Sequence, residues 1–204
     1  MRQCYLCGAN LRKNVNRSDD HIPPACIFPA GTQSMITVPC CTACNEHYRK
    51  LDEKMRNFIA TLSNSVSSEP IEKAKRSILR SPKLARQYLS YTKPHPTLVT
   101  DDGQPRLLFY FDDEELTRWL TRIVKGLFFH ENRRRINDAA VFTVKSLPEI
   151  RPPPSVTLPF EKGLERRPYF VYGVVQDDNK PNRDFWILVF YDQIVFSVTV
   201  EIPT

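Results

Sequence analysis

With 204 residues, of which 41% are hydrophobic and 11% aromatic, the chain has enough apolar material for a packed core, in one large domain or a small domain beside a medium one. No stretch approaches the ~20 consecutive apolar residues that a membrane-spanning helix needs, and Met1-Arg2-Gln3-Cys4 lacks the basic-then-apolar layout of a secretory signal, so a cytosolic protein is expected. The formal net charge of +6 favours polyanionic partners, nucleic acid ahead of anionic lipid.

All six cysteines (Cys4, Cys7, Cys26, Cys40, Cys41 and Cys44) fall in the first fifth of the chain. In a reducing compartment such clustering favours a metal site over disulfides. Cys4-x-x-Cys7 and Cys41-x-x-Cys44 are two knuckles which, brought together, give the four thiolates that tetrahedral structural zinc prefers. Gly8 follows the first pair, as a knuckle turn requires. A redox dithiol is the competing reading, disfavoured by the presence of two pairs and by the lack of a βαβ pattern around either. Cys40 in place of Cys41 would break the register with Cys44, so Cys40 and Cys26 read as small buried hydrophobes.

Between the knuckles lies Ser18-Asp19-Asp20-His21-Ile22-Pro23-Pro24, and after the second comes Asn45-Glu46-His47-Tyr48-Arg49-Lys50. Asp-His-Ile-x-Pro between two C-x-x-C pairs, with Asn directly after the last Cys, resembles the HNH nuclease family over roughly residues 4–60. The resemblance implies a two-stranded hairpin followed by a helix around one catalytic metal, the ββα-metal arrangement. Asp20-His21 would end the first strand and Met35–Val38 would fall in the second. The helix would start near Asn45, with Tyr48, Leu51, Met55, Phe58, Ile59 and Leu62 as its buried stripe. A unit of about sixty residues is marginal alone, and a zinc staple would fix strand ends against the helix start.

The resemblance also assigns roles. A phosphodiester repels nucleophiles because its oxygens are anionic, so an enzyme must make a nucleophile and neutralise charge. His21 would be the general base. Asp20 and Asn45 would ligate a hard divalent ion, Mg²⁺ or Mn²⁺, with few protein ligands so that phosphate oxygens can complete its shell. Arg49 and Lys50 are candidate phosphate contacts, and His47 is a further candidate for a metal or phosphate role. The chain departs from the family at the middle motif: Ser34-Met35-Ile36-Thr37-Val38-Pro39-Cys40 contains no Asn to support the base, and Thr37 or Ser34 would have to substitute.

Residues 66–100 are polar and basic, with Lys73, Lys75, Arg76, Arg80, Lys83, Arg86 and Lys93 against Glu69 and Glu72. From Lys73 to Arg86 this segment could make non-specific phosphate contacts. It closes on Lys93-Pro94-His95-Pro96, which reads as a helix stop and linker. Residues 101–204 read as a helix followed by strands. Asp113, Glu114 and Glu115 suit a helix start, and Leu116, Trp119, Leu120, Ile123, Val124, Leu127 and Phe128 recur at three- and four-residue steps. Basic Arg133-Arg134-Arg135 follows. Strands are expected at Ala140–Val144, Tyr169–Gln176, Phe185–Tyr191 and Ile194–Ile202, with a proline-rich connection around Pro152-Pro153-Pro154 and a hairpin at Asp192-Gln193.

The expected fold class is therefore α+β: a small zinc-stabilised ββα-metal unit over residues 1–65, a basic segment over 66–100, and a helix plus antiparallel sheet over 101–204. The expected function is metal-dependent endonucleolytic hydrolysis of DNA, on nucleic acid and not at a membrane, with a protein partner or a second copy of the chain as further candidates. The alternative class is a non-catalytic zinc-ribbon module gripping nucleic acid or protein, for which zinc alone would suffice. A toxin- or defence-type effector needing an activating partner is a third reading, without a motif of its own.

Overall fold

The computed structural model describes residues 3–32, 35–62, 72, 76, 79–80, 82, 86, 92–99, 105–109, 113–147, 162–163, 169–177, 179–191 and 194–203. The architecture is α+β, as expected. Strands β1 (Arg17–Ile22) and β2 (Ile36–Cys41) form an antiparallel pair with Asp20 opposite Val38 and His21 opposite Thr37. Helix α1 (Thr42–Leu62) follows β2 without a connecting residue. It therefore starts three residues ahead of Asn45, and Cys44 and Asn45 lie inside its first turn. The second strand also runs past Val38 through Pro39 to Cys41, carrying the backbone directly into the second knuckle.

One expectation is corrected between the two halves. Lys93-Pro94-His95-Pro96 is not a linker but lies within β3 (Thr92–Val99), which pairs antiparallel with β4 (Pro105–Phe109) as a separate two-stranded sheet. Proline removes a ladder donor and is tolerated where a strand has an unpaired side, which a two-stranded ribbon supplies on both strands.

Helix α2 (Asp113–Asn132) starts where its acidic residues foretold. Its seven anticipated apolar positions are all buried. The five-stranded antiparallel sheet that follows has the order β5-β9-β8-β7-β6, from β5 (Val141–Leu147), β6 (Lys162–Gly163), β7 (Phe170–Asp177), β8 (Lys180–Phe190) and β9 (Ile194–Glu201). In β9, Ile194, Phe196, Val198 and Val200 are buried and alternate with half-buried Val195, Ser197, Thr199 and Glu201. β8 and β9 pair from Phe190 opposite Ile194, as a hairpin requires; Asp192-Gln193 themselves, like Ser34 and the Pro152–Pro154 connection, lie outside the described residues.

Helix α2 is the shared wall of the molecule. It touches β1, β2 and α1 and also β5 and β9. Residues from Cys4 to Ile59 and from Leu116 to Val200 accordingly form one apolar cluster. Gly126 marks a close approach to β1: a Cβ there would lie 2.6 Å from both Cδ1 and Cγ1 of Ile22. Polar ties reinforce the docking, through the Lys54–Glu115 ion pair and the bond from Tyr191 Oη to the Ile27 carbonyl. Among the described residues no helix is long and apolar enough to cross a membrane.

Candidate functional site

The thiol centre is built by local backbone geometry. The Gly8 N–H donates to the Cys4 carbonyl at 2.9 Å, closing the first knuckle, with Gly8 at φ +75°, a conformation that favours glycine. In the second, the Cys44 N–H donates to the Cys41 sulfur at 3.4 Å. The Tyr5 N–H bonds the Pro39 carbonyl at 3.0 Å and so joins the two knuckles. The Sγ atoms of Cys4, Cys7, Cys41 and Cys44 consequently lie within 4.8 Å of one another, so that this set could hold a metal ion such as zinc. A tetrahedral ion with bonds of about 2.3 Å sets its sulfurs about 3.8 Å apart, and Cys7 and Cys41 are at 3.8 Å.

Cys40 stays outside this quartet but is buried with its sulfur 3.8 Å from that of Cys4. A hydrogen bond with Cys40 pulls the Cys4 thiol down to about 3. The same bond, together with burial, pushes Cys40 well up. Burial and neighbouring thiols likewise push Cys44 up. Thiols packed this closely cannot all ionise unaided, and a cation relieves that repulsion. Cys26 is apart from them: its thiol faces the Asp52 carbonyl at 3.6 Å, and burial raises it to about 11.

A second feature is a groove of about 460 Å³ between the end of β1 with its following turn and one face of α1. His21 and Asp20 line it from β1, and Asn45, Glu46, Arg49, Asp52, Glu53 and Arg56 line it from α1 at the three- and four-residue steps of one helix face. Its charge is acidic, with Asp19, Asp20, Glu46, Asp52 and Glu53 against Arg49 and Arg56. Lys50 and His47 are exposed and do not line it; His47 instead packs edge-on against Tyr48, ring centroids 5.2 Å apart. Asn45 Nδ2 donates to Ser18 Oγ at 2.8 Å, which pins the amide, and among the described residues its Oδ1 accepts no hydrogen bond.

His21 is half-buried, and no described residue hydrogen-bonds its ring. Thr37, opposite it in register, turns its hydroxyl to the Met35 carbonyl at 3.3 Å and so does not take the place of the absent Asn. Asp20 is 4% exposed and tightly held. Arg122 Nη2 donates to its Oδ1 at 2.7 Å and its Oδ2 at 2.8 Å, and Tyr5 Oη donates to Oδ2 at 2.6 Å. Among the described residues Oδ1 accepts from Arg122 alone, so one of its lone pairs is open.

Arg122, Asp52 and Tyr5, and the hydrogen bond of Trp119, which was expected only as an apolar position, did not figure in the sequence-based site. Arg122 Nη1 donates to Asp52 Oδ1 at 2.6 Å, and Trp119 Nε1 donates to the same oxygen at 3.1 Å. Burial opposes the Arg122 charge, but Tyr5, Asp20 and Asp52 outweigh it and hold the guanidinium firmly protonated. The available signal was an arginine inside an apolar helix stripe, three residues after Trp119 and four before Gly126, where solvation is impossible and partners are obligatory. Of the basic segment, Lys73, Lys75 and Lys83 and the side chain of Lys93 lie outside the described residues, while Arg76, Arg80 and Arg86 are helical and exposed. No protein-family model, no curated protein and no solved structure matches the chain.

Proposed function

We propose that the chain is a metal-dependent endonuclease of HNH type acting on DNA, with structural zinc on Cys4, Cys7, Cys41 and Cys44. The observation carrying this reading is that His21, Asp20 and Asn45 line one groove of a hairpin and helix that also carry the four-thiol set. The hairpin-then-helix order is the one the resemblance implies. Asp20 and Asn45 would hold Mg²⁺ or Mn²⁺, which would neutralise phosphate and leaving-group charge. Among the described residues the groove brings together no three His, Cys, Asp or Glu donors within reach of one ion, so water and phosphate oxygens would complete the shell, as a hard ion tolerates.

Within that frame the imidazole of His21 takes the proton of the attacking water, and Arg49 on the opposite wall orients a phosphate oxygen. Arg56 is less available, being tied to Asn57 and to Glu53 at 3.5 Å. The acidic lining explains why cutting should require a divalent ion, since a phosphodiester entering this groove unaided meets more negative charge than positive. A plasmid nicking assay with Mg²⁺ or Mn²⁺, wild type beside His21→Ala, tests the reading. Loss of a positioned base should slow cutting by about 10²–10⁴ while zinc content and fold persist. Equal cutting by His21→Ala refutes the role of His21, and cutting without divalent ions refutes the mechanism.

One observation favours the binding-module alternative: Asp20 is engaged by Arg122 and Tyr5, and no described residue orients the His21 ring. A zinc-loaded chain that binds DNA and never cuts with any divalent ion would establish that alternative.

A further inference from the structure

The guanidinium of Arg122 bridges Asp20 and Asp52, which line the groove from β1 and from α1. It holds Asp20 of β1 with two short contacts at 2.7 and 2.8 Å and Asp52 of α1 with another at 2.6 Å, its Cζ lying 4.6 Å from the Tyr48 ring centroid. β1 also carries His21, and α1 also carries Asn45 and Arg49. The residue that spaces these walls comes from α2, 102 positions from Asp20 and 70 from Asp52. At 1% exposure it is shielded from solvent, so its geometry is fixed by these partners and not averaged by water.

We propose, resting on the nuclease reading, that Arg122 is a positioning residue. It turns the one open lone pair of Asp20 toward the groove and sets the separation between His21 on one wall and Asn45 on the other. The Tyr5 hydroxyl assists by occupying Asp20 Oδ2, leaving Oδ1 as the atom able to meet a cation. The hairpin and α1 thus lack a finished site until α2 docks. Arg122 also offsets part of the negative charge of the two aspartates, so an ion in the groove meets a moderately acidic site. Groups that orient metal-ligating carboxylates typically carry 10–100-fold of affinity or activity.

Arg122→Lys keeps the charge and replaces the planar fork with a point donor, so it isolates geometry from electrostatics. The full-length, zinc-loaded chain is titrated with Mn²⁺, free ion being read by electron paramagnetic resonance, and kcat and KM for plasmid nicking are measured alongside. Arg122→Lys should weaken Mn²⁺ binding about tenfold and lower kcat by about 10–100-fold, with KM within about threefold and zinc content unchanged. Wild-type Mn²⁺ affinity and kcat in Arg122→Lys overturn the proposal. If Arg122→Lys loses zinc or fold, Asp52→Ala carries the test, because Arg122 then keeps Asp20 but no longer spans the groove; unchanged affinity and kcat there overturn it equally. A wild type that binds Mn²⁺, loses it in Arg122→Lys and never cuts DNA supports the positioning role and counts against the nuclease reading alone. A wild type that binds no Mn²⁺ overturns both.

Discussion

The N-terminal hairpin and the C-terminal sheet both hold antiparallel strands against a helix, but with different materials. The sheet buries Phe170, Tyr172, Trp186, Phe190 and Phe196, and Phe190 meets Trp119 of α2 with ring centroids at 5.6 Å and Phe170 at 4.9 Å. The N-terminal region offers Ile22, Val38 and Tyr5, four thiols within reach of one ion, and buried Asp20 and Asp52 paired with Arg122. Apolar area stabilises without direction, whereas thiolates and buried ions stabilise only in one geometry. The N-terminal region relies on directional contacts, and the C-terminal region relies on aromatic area.

The largest effect is expected at the thiol centre. Cys41→Ser, or a strong chelator, should unfold the hairpin and the start of α1, because structural zinc contributes on the order of 10–16 kcal/mol in small units. Zinc content and near-ultraviolet circular dichroism, with Cys26→Ser as the control outside the quartet, check this. Retention of a folded hairpin without metal would mean that the apolar contacts to α2 suffice.

Phe190→Ala tests the other material. Truncating a fully buried phenylalanine among three aromatic neighbours should cost about 3–5 kcal/mol. Since one apolar cluster runs through both regions, zinc release and loss of sheet structure in guanidinium should move together to a lower midpoint. A zinc-release midpoint unaffected by Phe190→Ala would show that the regions unfold separately.

The same contrast governs what could be read from sequence. Periodicity is a property of apolar area, so α2 and β9 were legible almost to the residue, and C-x-x-C spacing made the thiol quartet legible too. Strand β3 was not, because Pro94 and Pro96 interrupt any strand pattern. Nor was the polar start of β8 at Lys180–Asp184, whose pairing to Gln176 and Asp177 depends on the backbone ladder and not on side-chain alternation. In the site, Asp20, His21 and Asn45 stood out by motif, but Arg122 could not be assigned to Asp20 and Asp52. That pairing exists only once α2 has docked, and nothing local in either segment encodes the other.

A smaller effect sharpens the electrostatic side. Burial raises the Asp52 carboxyl above its ordinary value, against the opposing pull of Arg122 and Trp119. The folded state therefore binds this proton more tightly than the unfolded state, and the contribution of Asp52 to stability declines as pH rises from the ordinary carboxylate range through the raised value. Asp52→Asn, which keeps an acceptor for Trp119 and Arg122, should flatten that segment of the stability–pH curve. An unchanged slope in urea titrations across the acidic range would show that Arg122 holds Asp52 ionised at no net cost.

The smallest effect is expected at Gly126, where opposing terms nearly balance. Replacing a mid-helix glycine with alanine favours the helix by about 0.8–1.0 kcal/mol. Here the new methyl would meet three atoms of Ile22, with Cδ1 and Cγ1 at 2.6 Å and Cγ2 at 3.2 Å. Rotating the Ile22 side chain cannot clear it, because a β-branched residue presents a carbon in most rotamers and Ile22 is itself buried. Overpacking of this kind costs about 1–3 kcal/mol, so the clash outweighs the propensity gain and Gly126→Ala should be destabilising by roughly 1 kcal/mol. Removing one of the clashing atoms tests the cause: in a double-mutant cycle Ile22→Val should recover part of the loss, giving a favourable coupling of about 0.5 kcal/mol or more. A stabilising Gly126→Ala would instead mean that α2 can draw back from β1. The Arg122 contacts to Asp20 would then have to lengthen with it, and a rise in the Mn²⁺ concentration needed for binding would accompany the gain in stability.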